Sequence, residues 1–210
     1  DKFLKAGPGF GGSCFKKDLL NLVYLSRHFG LEEVANYWES VVRLNSWNQN
    51  RISEIVVKKL FGTLASKKIV ILGFSFKANT NDTRESSAIT ISRNLLIEGA
   101  DLKIHDPKVS SKQIEFELNQ SKNNLGSFEN EDLKNGSWEK IDNLYDSLIG
   151  ADAIIAVTEW EEYSNLDWEK ISKLMRRPAW VFDTRSILNV ENILKTNLNL
   201  WNIGVGGRTG

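Results

Sequence analysis

Hydrophobic residues in the first third of the chain recur at the three- and four-residue steps of an α-helix. A first set falls on one helical face between residues 18 and 28, at Leu19, Leu22, Val23 and Leu25. Gly30 is a natural stop for that helix. A second set runs from Glu32 to Phe61 without a proline. It predicts a helix of about 28 residues, about 42 Å long, which is typical of a link between domains or of a dimer interface.

Beyond residue 66 the pattern changes to short apolar runs that alternate with helical segments. The run at residues 69–72 is typical of a strand buried on both faces of a parallel sheet. A helix at about residues 85–98 and a strand at residues 101–105 complete a βαβ unit. Later strands are predicted at residues 153–157, 180–182 and 200–203, and helices at 143–149 and 168–175. This alternation predicts an α/β fold in which a Rossmann-like, doubly wound parallel sheet follows the long connecting helix.

The change of pattern divides the chain into two predicted domains. Residues 1–66 form a glycine-rich loop and the central helices, and residues 67–210 form the Rossmann-like domain. Residues 119–137 are rich in Asn, Ser, Lys and Glu without regular apolar spacing. We therefore predict a surface insertion there.

Composition narrows the choice of partners and compartment. Lys plus Arg and Asp plus Glu both total 27, so a chain of zero net charge has no overall attraction for nucleic acid or anionic membrane. No apolar run approaches the roughly 20 residues that span a bilayer. The single cysteine, Cys14, excludes an intrachain disulfide and makes the cytoplasm the default compartment. Without a His/Cys cluster of zinc spacing, we predict no metal.

A glycine-rich loop carries the most informative chemistry. Residues 7–12 match G-x-G-x-x-G, but no buried strand precedes them, which argues against a dinucleotide fingerprint. The loop instead brings Cys14 to a helix start, where N–H groups and positive potential favour a thiolate. Lys17 is near in sequence, and Asp18, one turn on, has the chemistry of a base. A buried structural cysteine is the alternative that these residues leave open.

Four segments in order resemble the UDP-glucose/GDP-mannose dehydrogenase family. They are GFGGSCFxKD at residues 9–18, ILGFSFKxxTxDTRESS at 71–87, IHDPKV at 104–109 and FDTR at 182–185. Together they span nearly the whole chain. The run at residues 82–87 looks like the UDP-glucose branch of the family.

The resemblance implies a nucleophilic thiol. Cys14 resembles a residue that adds to an aldehyde, giving a thiohemiacetal and then a thioester that water hydrolyses. The implied reaction oxidises the C6 alcohol of UDP-glucose to an acid with two NAD⁺. Covalent capture would keep the reactive aldehyde from escaping. Asp18 matches a residue assigned to water activation or proton handling.

The resemblance also implies the binding residues. Those matching substrate contacts are Lys5, Ala6, Gly7, Pro8, Gly9, Phe10, Gly11, Phe76, Lys77 and Arg185. Those matching NAD contacts are Cys14, Phe15, Lys16, Lys17 and Arg84. Asp82 or Thr83 has the alternative role of capping the following helix. A homodimer or higher homo-oligomer is expected, with Trp38 and Trp47 on the long helix as candidate contacts.

Family members begin with a Rossmann NAD-binding domain, which we expect to lie before Asp1. The chain alone is therefore predicted to have no dehydrogenase turnover. Two alternatives stay open. One is a dehydrogenase for UDP-N-acetylmannosamine or another nucleotide sugar. The other is a stand-alone nucleotide-sugar-binding or dimerisation module.

Overall fold

The computed structural model describes residues 5–120 and 136–209. Its first part is a packed pair of helices, α1 (Phe15–His28) and α2 (Glu32–Lys59). The turn between them depends on Gly30, whose φ of 72° is easily reached only without a side chain. The predicted long helix is confirmed, with 28 residues. Within the described ranges, no helix is long and apolar enough to cross a membrane.

The second part is a seven-stranded sheet. Its strands are β1 (Lys68–Leu72), β2 (Asp101–His105), β3 (Ser137–Ile141), β4 (Ala153–Ala156), β5 (Trp180–Asp183), β6 (Asn199–Asn202) and β7 (Gly206–Thr209). They lie in the order β3-β2-β1-β4-β5-β6-β7. All neighbouring pairs are parallel except β6 and β7. The first six strands thus have the order of a dinucleotide-binding Rossmann fold, which confirms the predicted fold class.

Helices cover both faces of this sheet. One face packs against the C-terminal half of α2 together with α3 (Ser87–Ile97) and α4 (Ser111–Gln120). The other packs against the segments that contain α5 (Leu144–Ser147), α6 (Trp168–Leu174) and α7 (Val190–Leu194). Because alternate strand residues point to opposite faces, Ile71 joins the first core and Leu72 the second. The carboxyl ends of the strands stay open as one edge.

The hydrophobic pattern did not predict some elements in which many side chains are exposed to solvent. Strand β3 lies at the edge of the sheet and is only partly buried, so it lacks a continuous apolar run. Helix α4 buries only Ile114 and Leu118 of its apolar residues. The predicted insertion at residues 119–137 was therefore too wide at both ends, since residues 119–120 end α4 and Ser137 begins β3. Its remaining part, residues 121–135, lies outside the described residues.

A buried tyrosine and a partly buried histidine connect β2 to the segment after β4. The hydroxyl of Tyr163 donates to the His105 carbonyl at 3.1 Å and lies 2.9 Å from His105 Nδ1. Burial lowers the pKa of His105, and the Glu162 carboxylate, 3.8 Å from Nδ1, opposes this shift. Burial, with Asp106 adding to it, raises the pKa of Tyr163. Both groups are therefore held in their neutral forms.

This histidine predicts a pH dependence of stability. A pKa that is lower in the folded than in the unfolded state contributes stability above the unfolded value, near 6.5, which is lost as pH falls. We expect wild type to lose unfolding free energy relative to His105→Gln on going from pH 7 to pH 5, by at most about 1.4 kcal/mol per pH unit. Urea unfolding at pH 8, 6.5 and 5 measures this. Parallel curves for the two proteins would contradict it.

Candidate functional site

The glycine-rich loop lies against the segment that follows β1. A Cβ on Gly11 would stand 2.4 Å from the Glu85 carbonyl oxygen, and a Cβ on Gly12 would stand 2.9 Å from the Phe76 ring. The Gly12 N–H donates to the Arg84 carbonyl at 2.9 Å. Both glycines are thus required by close approach, and Gly12 also by its φ of 85°. The loop is therefore held in place by close contacts with the rest of the fold.

Helix α2 holds the same loop from the other side. The Asn45 amide pairs with both backbone groups of Phe10, accepting from its N–H at 2.8 Å and donating to its carbonyl at 3.1 Å. Asn48 donates to the Gly7 carbonyl at 3.3 Å. Sequence reasoning did not assign these roles. The signal was present, because Asn45 falls within the apolar repeat of α2, and a polar residue at such a position needs a hydrogen-bond partner.

Cys14 is the residue that precedes the first turn of α1. Its thiol is exposed and free, and its carbonyl accepts the first helical hydrogen bond, from the Asp18 N–H at 2.8 Å. The sulfur caps no N–H group and lies 3.5 Å from the Ser13 hydroxyl. The sulfur therefore lies beside the positive end of α1, which favours negative charge nearby. The exposed Asp18 follows four residues later, so it lies on the same side of the helix.

Charged residues surround a cleft of ≈ 760 Å³ next to this thiol. Its lining is Gly12, Ser13, Lys16, Lys17, Leu20, Arg84, Glu85, Phe116 and Glu117. Lys16 pairs with Glu85 at 2.8 Å, and Arg84 makes a two-pronged contact with Asp82 at 2.9 and 2.7 Å. The hydrogen bonds that Arg84 donates to Asp82 raise the pKa of Arg84, and the negative charge of Asp82 adds to this. Three predicted cofactor contacts thus share one cleft beside Cys14.

The residue that caps α3 differs from both sequence candidates. The hydroxyl of Ser86 accepts from the Ala88 N–H at 3.2 Å. Asp82 instead binds Arg84, and Thr83 donates to Glu117 at 2.6 Å. The prediction that Asp82 or Thr83 caps the helix is therefore wrong. Asp82 orients a predicted cofactor contact.

The cleft carries positive charge, but the sheet beside it lacks a dinucleotide fingerprint. Lys16, Lys17 and Arg84 suit phosphate oxygens. The loop after β1, however, lacks the three glycines that dinucleotide binding requires there. The acid that follows β2, Asp106, is 2% exposed and turned inward. In dinucleotide-binding folds a carboxylate near this position holds a ribose, so the described strands and loops do not carry that fingerprint.

Asp106 serves the loop after β1 instead. One carboxylate oxygen accepts from the N–H groups of Phe74 and Ser75, from the Ser75 hydroxyl and from the Trp160 indole. The other accepts from the N–H groups of Lys108 and Val109 at 2.9 Å each. Asp106 lies within the IHDPKV segment, but no role was predicted for it from the sequence. Its six donors fix the loop that carries Phe76 and Lys77.

Phe76 and Lys77 face the glycine loop from the end of β1. The Lys77 ammonium lies 5.2 Å from the centre of the Phe76 ring, the same ring that Gly12 approaches. Lys77 is exposed, and its charge contributes to the lowered pKa of Asp82, of which Arg84 is the main cause. An aromatic face and an ammonium group therefore stand side by side at the open edge of the sheet.

Arg185, after β5, reaches the same edge. Its Nε donates to the Val157 carbonyl at 2.7 Å and its Nη2 to the Phe76 carbonyl at 3.4 Å. A Cβ on Gly7 would stand 2.8 Å from Arg185 Nη1, so the guanidinium abuts the glycine loop. Burial lowers the pKa of Arg185, and Glu159 opposes this. A guanidinium has five N–H groups, so N–H groups remain for a ligand.

The predicted site residues thus fall into one connected region with two ends. The glycine loop joins the thiol end, with Lys16, Lys17 and Arg84, to the sheet end, with Phe76, Lys77 and Arg185. Pro8 is buried and the Phe10 and Phe15 rings meet edge to face at 4.6 Å, which stiffens the loop. Lys5 and Ala6 are exposed, and no contact places them against the other residues.

A parallel sheet of Rossmann order, with an exposed thiol on a glycine-rich loop beside its open edge, defines a Rossmann-like α/β domain joined to a helical segment that carries a free cysteine. The family models agree with this class. The UDP-binding domain of the UDP-glucose/GDP-mannose dehydrogenase family matches residues 70–190, and the central domain of that family matches residues 1–47. The chain belongs to the UDP-glucose/GDP-mannose dehydrogenase family.

The chain is also similar to curated proteins that are named UDP-glucose 6-dehydrogenase. The chain is 40% identical over 203 residues to a UDP-glucose 6-dehydrogenase of Drosophila melanogaster, covering 97% of this chain and 42% of that protein. It is 46% identical over 189 residues to a UDP-glucose 6-dehydrogenase of Gallus gallus, covering 90% of this chain and 37% of that protein. The chain therefore spans about two fifths of the length of these relatives.

Solved structures agree in fold. A UDP-glucose dehydrogenase from Pyrobaculum islandicum superposes with a TM-score of 0.69 at 26% identity, covering 95% of this chain and 38% of that one. A UDP-N-acetylmannosamine dehydrogenase from Pyrococcus horikoshii has a TM-score of 0.62 at 23% identity, covering 94% and 39%. The second likeness shows the fold alone.

Proposed function

We propose that this chain forms the thiol-bearing and sugar-nucleotide-binding part of a UDP-glucose 6-dehydrogenase, which oxidises the C6 alcohol of UDP-glucose to a carboxylate. The observation that carries the proposal is the exposed thiol of Cys14 at the start of a 14-residue helix. The glycine loop connects it directly to Phe76 and Arg185. The 40–46% identity to UDP-glucose 6-dehydrogenases supports the same reaction.

Substrate binding is proposed at the sheet end of the site. Residues 5–11 cradle the sugar nucleotide, since glycines let its backbone approach a ligand closely. Lys77 and Arg185 bind diphosphate or sugar oxygens through charged hydrogen bonds. Phe76 offers an aromatic face beside Lys77. This placement follows the rule that open α/β sheets bind ligands at the carboxyl ends of their strands.

The proposed chemistry places the reacting carbon at Cys14. The thiolate adds to the C6 aldehyde: a carbon–sulfur bond forms, and the carbonyl electron pair moves to oxygen, which takes a proton. Loss of a hydride from C6 and of the hydroxyl proton then gives a thioester. Water attacks the thioester carbon, the carbon–sulfur bond breaks, and a carboxylate and the thiolate are released. Asp18, one turn after Cys14, accepts a proton from this water or orients it.

NAD is the proposed cofactor, and its role when bound is to accept one hydride from C6 in each of two oxidations. Lys16, Lys17 and Arg84 hold it from this side of the cleft. Asp82 keeps Arg84 in place through both carboxylate oxygens. We assign the rest of the cofactor to a domain outside these residues, since the chain spans about two fifths of the length of its relatives.

A second copy of the chain is the proposed protein partner. Large apolar side chains stay exposed along the α1–α2 pair, among them Tyr24, Phe29, Leu31, Tyr37, Leu44 and Trp47. Exposed apolar patches of this kind mark interaction sites. Trp47 also receives Arg51 over its ring at 5.7 Å, an arrangement common at interfaces. Trp38 is half-buried and contributes less free surface.

The substrate is tested by NADH production from the complete dehydrogenase. We expect kcat/KM for UDP-glucose to exceed that for UDP-N-acetylmannosamine and UDP-N-acetylglucosamine by at least about a hundredfold, because buried polar groups reject a sugar that leaves them unpaired. Preference for an N-acetylated sugar would move the chain to another branch of the family. In the same assay the 210-residue chain alone is expected to give no NADH.

Thiol chemistry separates the dehydrogenase from a stand-alone binding module. A module that only binds nucleotide sugars has no need for a reactive Cys14. A thiol reagent should therefore modify Cys14 quickly, and UDP-glucose should slow the modification. A rate that is slow and indifferent to UDP-glucose would favour the module.

A further inference from the structure

One carboxylate touches both parts of the sheet end of the site. Glu159 follows β4, and its Oε1 accepts from the Ala78 N–H at 3.4 Å, next to Lys77. Its Oε2 lies 3.4 Å from the Nε of Arg185. We propose that Glu159 is a positioning residue that sets the guanidinium of Arg185 and the Lys77 loop relative to each other for sugar-nucleotide binding. This inference rests on the proposed function.

The hydrogen-bond geometry shows that Glu159 acts on Arg185 through charge. Nε carries a single N–H, and that hydrogen goes to the Val157 carbonyl at 2.7 Å. Oε2 of Glu159 is buried and accepts no hydrogen bond. A buried carboxylate oxygen without a donor costs free energy unless a neighbouring positive charge offsets it. Among the described residues, Arg185 is the cation within 4 Å of that oxygen, so each group favours the present position of the other.

The neighbours of Glu159 in sequence act on the same loop. Thr158 donates to the Ser75 carbonyl at 2.6 Å, and Trp160 donates to Asp106, which holds the Ser75 N–H. Gly73 has a φ of 90°, and a Cβ there would stand 2.3 Å from the Thr158 Cβ, so the two segments are in direct contact. Three consecutive side chains after β4 therefore fix the residues that carry Phe76 and Lys77. Glu159 alone among them also faces Arg185.

The position of Arg185 matters because its guanidinium contacts two parts of the site. Its guanidinium donates to the Phe76 carbonyl and abuts Gly7 of the glycine loop. Without the charge of Glu159, the guanidinium is still tied to two carbonyls but lacks an opposing anion. We expect the guanidinium to turn toward solvent, so that its remaining N–H groups no longer point at the sugar nucleotide.

The test is Glu159→Gln in the complete dehydrogenase, since glutamine keeps the acceptor for Ala78 and places a neutral NH₂ group where the charged Oε2 faces Arg185. We expect the KM for UDP-glucose to rise about tenfold with kcat changed less than about twofold, because the lost interaction is made with substrate and transition state alike. Glu161→Gln, an exposed carboxylate two residues on, is the matched control and should leave KM unchanged. Tm is measured for each variant.

The outcomes separate this inference from the proposed function. If wild type does not oxidise UDP-glucose, the proposed function fails. If wild type does so but Glu159→Gln has a wild-type KM, or only a lower Tm with an unchanged KM, the inference fails. Glu159→Asp keeps the charge and shortens the reach to Ala78; we expect a smaller rise in KM than for glutamine. Should the glutamine variant not fold, an unchanged KM in Glu159→Asp would overturn the inference.

Discussion

Replacing Cys14 by serine in the complete dehydrogenase is expected to lower NADH production from UDP-glucose by at least about a thousandfold. A serine hydroxyl at a helix N-terminus stays protonated near neutral pH, whereas a thiol there is readily ionised. The exposed sulfur makes no capping hydrogen bond and lies 3.5 Å from Ser13, so its replacement disturbs no structural contact beyond this one. Affinity for UDP-glucose should stay within about threefold, since binding is assigned to other residues.

Two measurements make this expectation specific. Steady-state NADH production gives the loss of turnover, and equilibrium binding of UDP-glucose shows that the variant is folded and competent to bind. Ser172→Ala, which removes an exposed hydroxyl on α6 far along the chain, is the control and should keep full activity. If the Cys14→Ser enzyme kept a turnover within tenfold of wild type, the covalent thiol mechanism would be ruled out.

The elements that sequence reasoning found are those that bury most of their apolar side chains. Strands β1, β4 and β5 are nearly fully buried, and each left an uninterrupted apolar run. The long helix α2 left a helical repeat without proline. The strands that were missed, β3 and β7, lie at the two edges of the sheet. An edge strand has fewer buried neighbours, so its sequence is under weaker constraint to be apolar.

The glycine-rich loop and its lone cysteine were predicted as a candidate site from their chemistry. The resemblance to a family supplied most of the other candidate residues, among them Arg185 within FDTR. What escaped were the residues that hold these groups in place, such as Asn45, Asp82 and Glu159. An asparagine or a carboxylate is ordinary in any surface segment, and only the folded chain shows that Asn45 meets the backbone of Phe10. The place of Asn45 in the apolar repeat of α2 indicates that it needs a partner, but the identity of a long-range partner leaves no local pattern.

Asp106 is another residue whose role was not predicted from the sequence. Its replacement has the largest expected effect on stability. We expect Asp106→Ala to lower the free energy of unfolding by at least about 4 kcal/mol, because each buried donor left without a partner costs about 1–3 kcal/mol and the effects are only partly additive. The side chain is 2% exposed and accepts from six donors. Against a usual total of about 5–15 kcal/mol, this change brings the domain close to unfolding.

Asparagine at the same position separates hydrogen bonding from side-chain volume. An amide oxygen on the crowded side keeps the acceptor for Phe74, Ser75 and Trp160, whereas its NH₂ group faces the N–H groups of Lys108 and Val109. We therefore expect Asp106→Asn to lose about half as much unfolding free energy as alanine. Asp142→Ala, which removes an exposed carboxylate after β3, should change it by less than about 0.5 kcal/mol. Urea unfolding of the three variants measures the order, and an alanine variant as stable as Asp142→Ala would show that the Phe74–Lys77 loop holds its place without this carboxylate.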